Sequence, residues 1–270
     1  MKKEDRNKIW QTPKYLPYVQ PELTAEIILE AEKKIGYKLP SEYLELLKIQ
    51  NGGYIRYTLS EIGNDKIYGI GPYFPSILDT DWDDYFEDLS FELDGLIPFD
   101  SDGHWFICFD YRNDKTTPEI TYIDTELDTE EKIAENFNNY LDLLEIDFED
   151  QFVIETNLSL EDSINEIEKA LKIKFEEPDS DANGYPLYRT KYKNNWFWLN
   201  SNKVPEGFIR NDEERYEQLK SQMESFTLYY QELPEDSLLI KVYSDKAQKS
   251  MIKELTENSI KVKSLEEYFK

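Results

Sequence analysis

The chain of 270 residues contains one histidine and one cysteine, only four positions apart. His104 and Cys108 fall in a predicted strand, where side chains separated by an even number of residues share a face. A Cys–His pair for nucleophilic catalysis is therefore the first chemistry to test. However, Cys108 lies within the apolar run Phe-Ile-Cys-Phe, which is typical of a buried strand in which cysteine acts as a small hydrophobe. We predict that the chain has no catalytic residue and is not an enzyme.

Glycine-rich phosphate-binding loops are the next possibility, and the sequence lacks them. Gly69 and Gly71 are followed at once by Pro72, so this segment has neither the spacing nor the helix start that cradles a phosphate. No nucleotide cofactor is predicted.

A cluster of aspartates partly matches the calcium loop of an EF-hand. Asp79, Asp81 and Asp83 occupy loop positions 1, 3 and 5. Asp84 stands where the loop needs glycine, and Ser90 stands where it needs a bidentate glutamate. This is not an EF-hand, although a looser divalent site in the segment stays open. We predict no required metal and no cofactor.

Acidic residues dominate the composition and are unevenly spread. The formal net charge is −26, of which residues 1–150 carry −20 and residues 151–270 carry −6. Between Ile67 and Tyr111 there are eleven acidic residues and no Lys or Arg. A field of this sign repels nucleic acid and anionic membranes and steers basic partners toward the first half. The alternative is that the charge only keeps the protein soluble.

One acidic segment also carries large aromatic residues. The run Asp79–Asp88 reads Asp-Thr-Asp-Trp-Asp-Asp-Tyr-Phe-Glu-Asp, and its tryptophan among aspartates requires local burial or cover by a partner. Aromatic anchors surrounded by complementary charge are typical of tight interfaces. The predicted partner-binding residues are these, with two from a following turn: Asp79, Asp81, Trp82, Asp83, Asp84, Tyr85, Glu87, Asp88, Asp102 and His104. The alternative is a solvated loop.

In the second half, basic and aromatic residues interleave along Tyr188–Trp198. This pattern occurs where aromatic rings stack on nucleic acid bases and cations meet phosphates. It is equally typical of a two-stranded hairpin with alternate aromatic side chains buried. Because the surroundings are acidic, we predict a hairpin and no direct nucleic-acid binding.

The first half predicts two helices, a set of strands and a third helix. Thr24 caps the first helix and Gly36 ends it, while the second runs over Ser41–Ile49. Inward positions of these two helices are predicted at Ile27, Ile28, Ala31, Ile35, Tyr43, Leu44 and Leu47. Strands are predicted over 54–58, 66–70, 96–99, 105–110 and 119–124, with a hairpin turn at Asp102-Gly103. The third helix carries the stripe Ile133, Phe137, Tyr140, Leu141 and Leu144.

The pattern restarts after an acidic and then extended connection over 145–158. Ser159 caps a helix, and two aromatic strands, 186–192 and 196–200, are joined at Asn194-Asn195. The next predicted elements are a helix over 212–223 and strands over 226–231 and 238–243. They are followed by a helix capped by Asp245, a strand over 260–262 and a terminal helix. We predict an α+β fold in two domains, 1–153 with an antiparallel sheet flanked by helices and a smaller one over 154–270.

Short motifs follow one another in order along residues 10–147. A Leu-Pro-x-x-Tyr helix start precedes an Asn-Gly-Gly stop, a Gly-Ile-Gly, a Pro-Phe pair and a tryptophan. These signature positions are Leu39, Pro40, Tyr43, Asn51, Gly52, Gly53, Gly69, Gly71, Pro98, Phe99 and Trp105. In this order they resemble the SUKH superfamily, in the branch shared by bacterial immunity proteins and fungal cell-wall-synthesis regulators. We expect them to act in folding, since helix entry, helix exit and tight turns demand such residues.

The resemblance implies an α+β fold without catalysis and, in bacteria, an immunity protein that binds and neutralises a toxin, often a nuclease. The expected partner is a protein toxin with a basic surface. The alternative is an intracellular regulatory or scaffold module unrelated to toxins. Residues from about 155 onward lie outside the resemblance.

Location is expected to be cytoplasmic. The chain begins without an apolar segment after its first charges, so no signal peptide is predicted, and no apolar run is long enough for a bilayer. The single cysteine excludes an internal disulfide.

Overall fold

The computed structural model describes residues 1, 3–79, 82, 89–148, 150–223 and 225–270. The chain divides into two units, Met1–Asp147 and Phe148–Lys270, each packed mainly against itself. Both contain helices and antiparallel strands, so the predicted mixture of the two is confirmed. That the halves are separable domains stays a prediction. In the described part of the chain, no helix combines the length and the apolarity that crossing a membrane requires.

The first unit begins with short elements and two helices that local chemistry delimits. Helix α1 (Ala25–Ile35) begins where the Thr24 hydroxyl accepts a hydrogen bond from the N–H of Ile27. It ends at Gly36, whose φ of 87° is left-handed. The other helices are α2 (Ser41–Ile49) and α3 (Phe137–Leu143), with 3-10 turns at Lys3–Lys8 and Leu16–Tyr18.

Two antiparallel sheets form the rest of the first unit. The first pairs β2 (Gly53–Tyr54) with β3 (Lys66–Ile67). The second has the order β4-β5-β6-β7, with strands Leu96–Ser101, Trp105–Asp110, Glu119–Asp124 and Thr129–Ala134. A short strand β1 (Lys14–Tyr15) precedes them. The predicted Asp102-Gly103 turn joins β4 to β5, with Gly103 at a φ of 101°.

Aromatic side chains fill the core of the first unit. Tyr43 of α2, Phe99 of β4, Phe109 of β5 and Phe137 and Tyr140 of α3 are all buried. Ring centroids lie 5.1 Å apart for Tyr43–Phe109 and 4.6 Å apart for Phe99–Phe109. Such tilted and edge-to-face pairs add to the burial energy of the rings. The core therefore ties the second and third helices to the sheet.

The first unit differs from the prediction at three places. Ile133 lies in β7, and α3 begins only at Phe137, because β7 is an edge strand whose charged residues hide the strand pattern. The strands predicted over 54–58 and 66–70 shorten to β2 and β3. In α2 the buried partner of Tyr43 and Leu47 is Leu46, while Leu44 is half-buried.

The second unit is built on a five-stranded sheet. Its antiparallel order is β15-β8-β14-β10-β9, with strands Val262–Ser264, Gln151–Ile154, Leu238–Val242, Asn195–Ser201 and Tyr188–Tyr192. The helices are α4 (Leu160–Leu171), α5 (Tyr216–Leu219) and α6 (Asp245–Glu257), with 3-10 turns at Lys220–Met223 and Leu265–Tyr268. The remaining strands are β11 (Lys203–Pro205), β12 (Gly207–Phe208) and β13 (Phe226–Leu228), of which β11 pairs with β13.

Helices α4 and α6 cover one face of this sheet. Ile164 and Ile167 of α4 and Met251 of α6 pack against Phe197 and Ile240 of the strands in one buried cluster. The alternate strand residues point to the opposite face, because neighbouring side chains along a strand alternate. Helices α4 and α6 therefore cover one face of the sheet. On the other face, Val153 and Leu239 pack with Tyr230, Leu233 and Leu265 in a second buried cluster.

The second unit also corrects several predicted boundaries. The predicted connection over 145–158 contains strand β8, which pairs with β14 and β15. The hairpin turn is Lys193-Asn194, both with positive φ, rather than Asn194-Asn195. Helix α6 is capped by the Ser244 hydroxyl, and the final helix is a single 3-10 turn.

Candidate functional site

An open groove of about 600 Å³ lies in the first unit between the β4–β5 turn and the segment that follows β3. It brings together three predicted site residues, Asp79, Trp82 and Asp102. The full lining is Tyr18, Lys66, Tyr68, Phe74, Pro75, Ser76, Asp79, Trp82, Pro98, Ser101, Asp102, Gly103 and Phe106. Asp81, Asp83, Asp84, Tyr85, Glu87 and Asp88 lie outside the described residues.

Trp82 is held in the groove by its own chain. Its indole N–H donates a hydrogen bond to the carbonyl oxygen of Leu96 at 3.1 Å. Its ring meets Phe106 edge to face, with centroids 5.1 Å apart, and packs against the buried cluster that includes Leu93 and Cys108. Contacts within the chain thus bury part of the Trp82 side chain, and the rest of this half-buried ring borders the groove.

Asp79 lies in the segment that forms one wall of the groove. Its carboxylate accepts a hydrogen bond from the N–H of Ser76 at 2.8 Å. Partial burial raises the pKa of Asp79, although this hydrogen bond and the positive charge of Lys34 oppose the rise. The groove thus has a fixed carboxylate at this edge.

Asp102 and His104 belong to the β4–β5 turn. Asp102 accepts hydrogen bonds from the N–H groups of His104 at 2.9 Å and Trp105 at 3.0 Å. Burial would raise the pKa of Asp102, but these donors outweigh it and lower the pKa. His104 does not line the groove; its Nδ1 lies 2.8 Å from Glu126, and both side chains are mainly exposed.

His104 and Cys108 do not share an environment. His104 is exposed at the turn, whereas Cys108 is fully buried beside Phe106 and Ile123. Burial raises the pKa of the Cys108 thiol well above its ordinary value, which suppresses the thiolate that a nucleophile requires.

A buried carboxyl group, that of Asp100, lies next to the groove residue Lys66. Asp100 is fully buried, and its carboxylate accepts a hydrogen bond from the Lys66 N–H at 3.2 Å, with the Lys66 ammonium 3.9 Å away. Burial raises the pKa of Asp100 to about 8, although the charge of Lys66 opposes the rise. The second oxygen of Asp100 has no hydrogen-bond partner among the described residues.

Sequence reasoning missed several groove residues, notably Lys66 and Phe74. Phe74 is 72% exposed at the rim. One signal was available for Lys66, because it is the last cation before the long stretch without Lys or Arg. No pattern in the sequence marked Phe74, because only the fold brings it into the same groove as Asp79 and Trp82.

The comparisons with known proteins bear on this unit. The model of the SMI1/KNR4 family (SUKH-1) matches residues 22–143. This part of the chain is similar to the SMI1/KNR4 family. The predicted resemblance to the SUKH superfamily is thereby confirmed, and the SUKH-1 region contains every groove residue except Tyr18. No curated protein and no solved structure matches the chain.

Signature positions of the SUKH-1 region hold the start of the segment that lines the groove. The Asn51 amide donates to the carbonyl oxygens of Pro21 at 2.6 Å and Ile70 at 2.9 Å and accepts from the Ile70 N–H at 2.8 Å. A side chain at Gly69 would collide with the backbone of Asn51, and one at Gly71 with Gln20. These contacts fix the start of the segment that leads to Phe74 and Asp79.

The remaining signature positions lie at helix starts, in the core and in β4 and β5. Pro40 precedes α2, and Tyr43 donates a hydrogen bond to the carbonyl oxygen of Tyr68 at 2.6 Å. Pro98 adjoins a bulge in the edge strand β4, where a missing N–H is tolerated. The others are Leu39, buried before α2, Gly52 and Gly53 at its exit, Phe99 in the core and Trp105 at the start of β5.

Proposed function

We propose that this protein is a non-catalytic immunity protein that binds and neutralises a bacterial toxin through the groove of its SUKH-1 unit. The match of residues 22–143 to the SMI1/KNR4 family fits an immunity or a regulatory role. The partner we propose is a protein with a basic surface. The observation that carries the proposal is the groove itself, which joins exposed apolar side chains to carboxylates.

The chemistry of the groove suits a basic protein partner. Phe74 and Trp82 supply large rings, and such residues are common energetic anchors of interfaces. Asp79 and Asp102 supply carboxylates in the same groove. The rings would control the dissociation rate and the carboxylates the association rate, because long-range attraction acts mainly on the encounter.

The charge of the region supports the same partner. No Lys or Arg occurs between Ile67 and Tyr111, and among the described residues that line the groove Lys66 is the one cation beside the two carboxylates. If the toxin is a nuclease, its basic substrate face is the surface that this rim would attract. Occupying that face would exclude the phosphate-bearing substrate.

The decisive experiment is toxin rescue. The gene next to the one for this protein is cloned if it encodes a modular toxin, and that toxin is expressed with and without this chain. We expect growth only with the chain present and co-purification of the two proteins. Growth arrest in both cultures would contradict the proposal. A chain that instead captures a non-toxic cellular protein would favour the regulatory alternative.

Matched variants locate the site. Phe74→Ala should weaken toxin binding about tenfold or more, as for an anchor worth about 2 kcal/mol. Leu127→Ala, at an equally exposed residue outside the groove (72%), should leave it unchanged. Asp102→Asn should slow association at low salt, whereas Asp114→Asn, which removes a charge from a similar turn, should not. Equal effects within each pair would place the site elsewhere.

A further inference from the structure

The second unit has a basic and aromatic surface on the sheet face that α4 and α6 leave open. Five strand residues that alternate with the buried ones form this surface, which we call the basic face: Arg189, Lys191, Trp196, Trp198 and Lys241. Trp196 lies opposite Lys191, and Trp198 lies opposite both Arg189 and Lys241. Residues opposite each other across an antiparallel pair share a face. The five therefore form one continuous surface across three strands.

Two carboxylates pair with residues on this side of the sheet, Glu176 with Arg189 and Glu155 with Lys263, and both lie outside its strands. The other outward strand positions of the same sheet are Gln151, Val153, Asn200, Leu239 and Lys263, so none of the outward strand residues, all of them described, is acidic. In a chain with 57 Asp and Glu residues, such a surface stands apart from its surroundings. An anionic group that approaches here meets cations without an intervening carboxylate in the strands.

Within the described part of the chain, Lys191 and Lys241 take part in no ion pair. Neither has a carboxylate within ion-pair distance among the described residues, whereas Arg189 bonds Glu176 at 2.7 Å. The Lys191 ammonium lies 3.6 Å from the centre of the Trp196 ring, and the Lys241 ammonium lies 4.8 Å from that of Tyr243. Cation–π contact holds both ammonium groups over rings and leaves their N–H donors for a partner.

A groove of about 440 Å³ adjoins Lys241. Its walls include Trp198, Tyr229, Leu239 and Tyr243, and it also contains amide side chains, Asn200 among them. The buried indole N–H of Trp198 has no hydrogen-bond partner among the described residues. A groove of this kind accepts a large apolar side chain whose flanking polar groups can bond to amides and cations.

We infer that the basic face binds an acidic segment of a partner protein, with carboxylates on Lys191 and Lys241 and an apolar side chain in the adjoining groove. This surface lies outside the SUKH-1 match, so the inference goes beyond the proposed function and does not depend on it. Charge complementarity selects the partner, because this is a cationic surface on a chain of net charge −26.

A peptide segment fits better than a nucleic acid strand. Lys191 and the Arg189 guanidinium, 5.4 Å from the ring centre, both lie over Trp196, so cations already occupy ring surface on which a base would stack. A nucleic acid strand would also extend past the basic face. Its further phosphates would then be repelled, because residues 151–270 have a net charge of −6. A short acidic segment keeps its carboxylates within the face.

The five tryptophans make the test local. Trp196 and Trp198 lie on the basic face, while Trp10, Trp82 and Trp105 belong to the first unit and serve as internal controls. The full ¹⁵N-labelled chain is titrated with the peptide acetyl-Glu-Asp-Phe-Glu-Asp-amide at low ionic strength. The indole N–H signals are followed by NMR after assignment by Trp→Phe substitution. We expect Trp196 and Trp198 to shift and the other three to stay.

Matched variants and probes complete the test. Lys191→Ala with Lys241→Ala should weaken peptide binding about tenfold, whereas Lys246→Ala with Lys249→Ala, at exposed positions of α6, should change it less than about twofold. Thermal melting verifies that each variant folds. The inference is overturned if Trp196 and Trp198 do not shift, if both double variants weaken binding equally, or if the Gln/Asn version of the peptide binds as well. A short oligothymidylate that binds more tightly than the peptide would overturn it in favour of nucleic acid.

Discussion

At the scale of single residues, Trp82 combines an internal and an external role. Its indole hydrogen bond to Leu96 and its contact with Phe106 hold the side chain in place, and the rest of the ring borders the groove. Trp82→Ala should speed dissociation of the toxin about tenfold, while Trp82→Phe should retain most of the affinity because a ring remains. Surface plasmon resonance on variants of verified melting temperature measures this. If the Trp82→Ala variant dissociates from the toxin at the same rate as the wild type, the ring acts only in folding.

Asp100 should make stability depend on pH. Its pKa is about 8 in the folded protein, against 3.8 for an ordinary carboxyl, because it is buried. The native state thus binds more protons than the unfolded chain between about pH 4 and pH 8, and the free energy of unfolding falls as pH rises through this range. In the Asp100→Asn variant, the loss of unfolding free energy over this pH range should be smaller by at least about 1 kcal/mol, as measured by urea titrations.

The matched control for Asp100 is its exposed neighbour. Asp65 also contacts Lys66, at 2.5 Å, but is about half exposed. Asp65→Asn should keep most of the pH dependence. An Asp100→Asn variant whose stability changes with pH as steeply as that of the wild type would assign the slope to other groups.

At the scale of elements, the close approach of Asn51 and Gly69 positions the whole segment that leads to the groove. A Cβ at Gly69 would collide with the Asn51 backbone, which cannot give way as a flexible side chain could. Gly69→Ala should therefore cost about 1–3 kcal/mol, measured by urea unfolding. Gly63→Ala meets nothing within 4 Å and bears only the strain of its φ of 72°, so it should cost less. Equal costs would refute the packing argument.

At the scale of the whole molecule, the division between the units falls at Asp147 rather than after residue 153. Strand β8 pairs with β14 and β15, so a cut after residue 153 removes most of it from the second unit's sheet. We expect fragments 1–147 and 148–270 each to melt cooperatively, and fragment 154–270 to melt at a lower temperature or not fold. Calorimetry checks this, with the intact chain as control. Two unfolded fragments from a folded chain would contradict the two-domain prediction.

The amino-acid sequence by itself determined the features that depend on neighbouring residues. The cap at Thr24, the left-handed stop at Gly36, the cap at Ser159 and the hairpin at Asp102-Gly103 are all local, and all were predicted correctly. The resemblance to the SUKH superfamily also followed from ordered local motifs. Charge counting identified the acidic region, because composition needs no fold.

Only the tertiary structure decided which distant residues meet. Strand β8 reads as a connection because its pairing partners lie far along the chain, and β7 reads as polar because it is an edge strand. The groove joins Phe74, Trp82 and Asp102 through contacts of Asn51 with the Gly69 region, which no local pattern encodes. The order of strands in a sheet depends on long-range pairing energy, and that is why local patterns located the elements but not the surfaces they form.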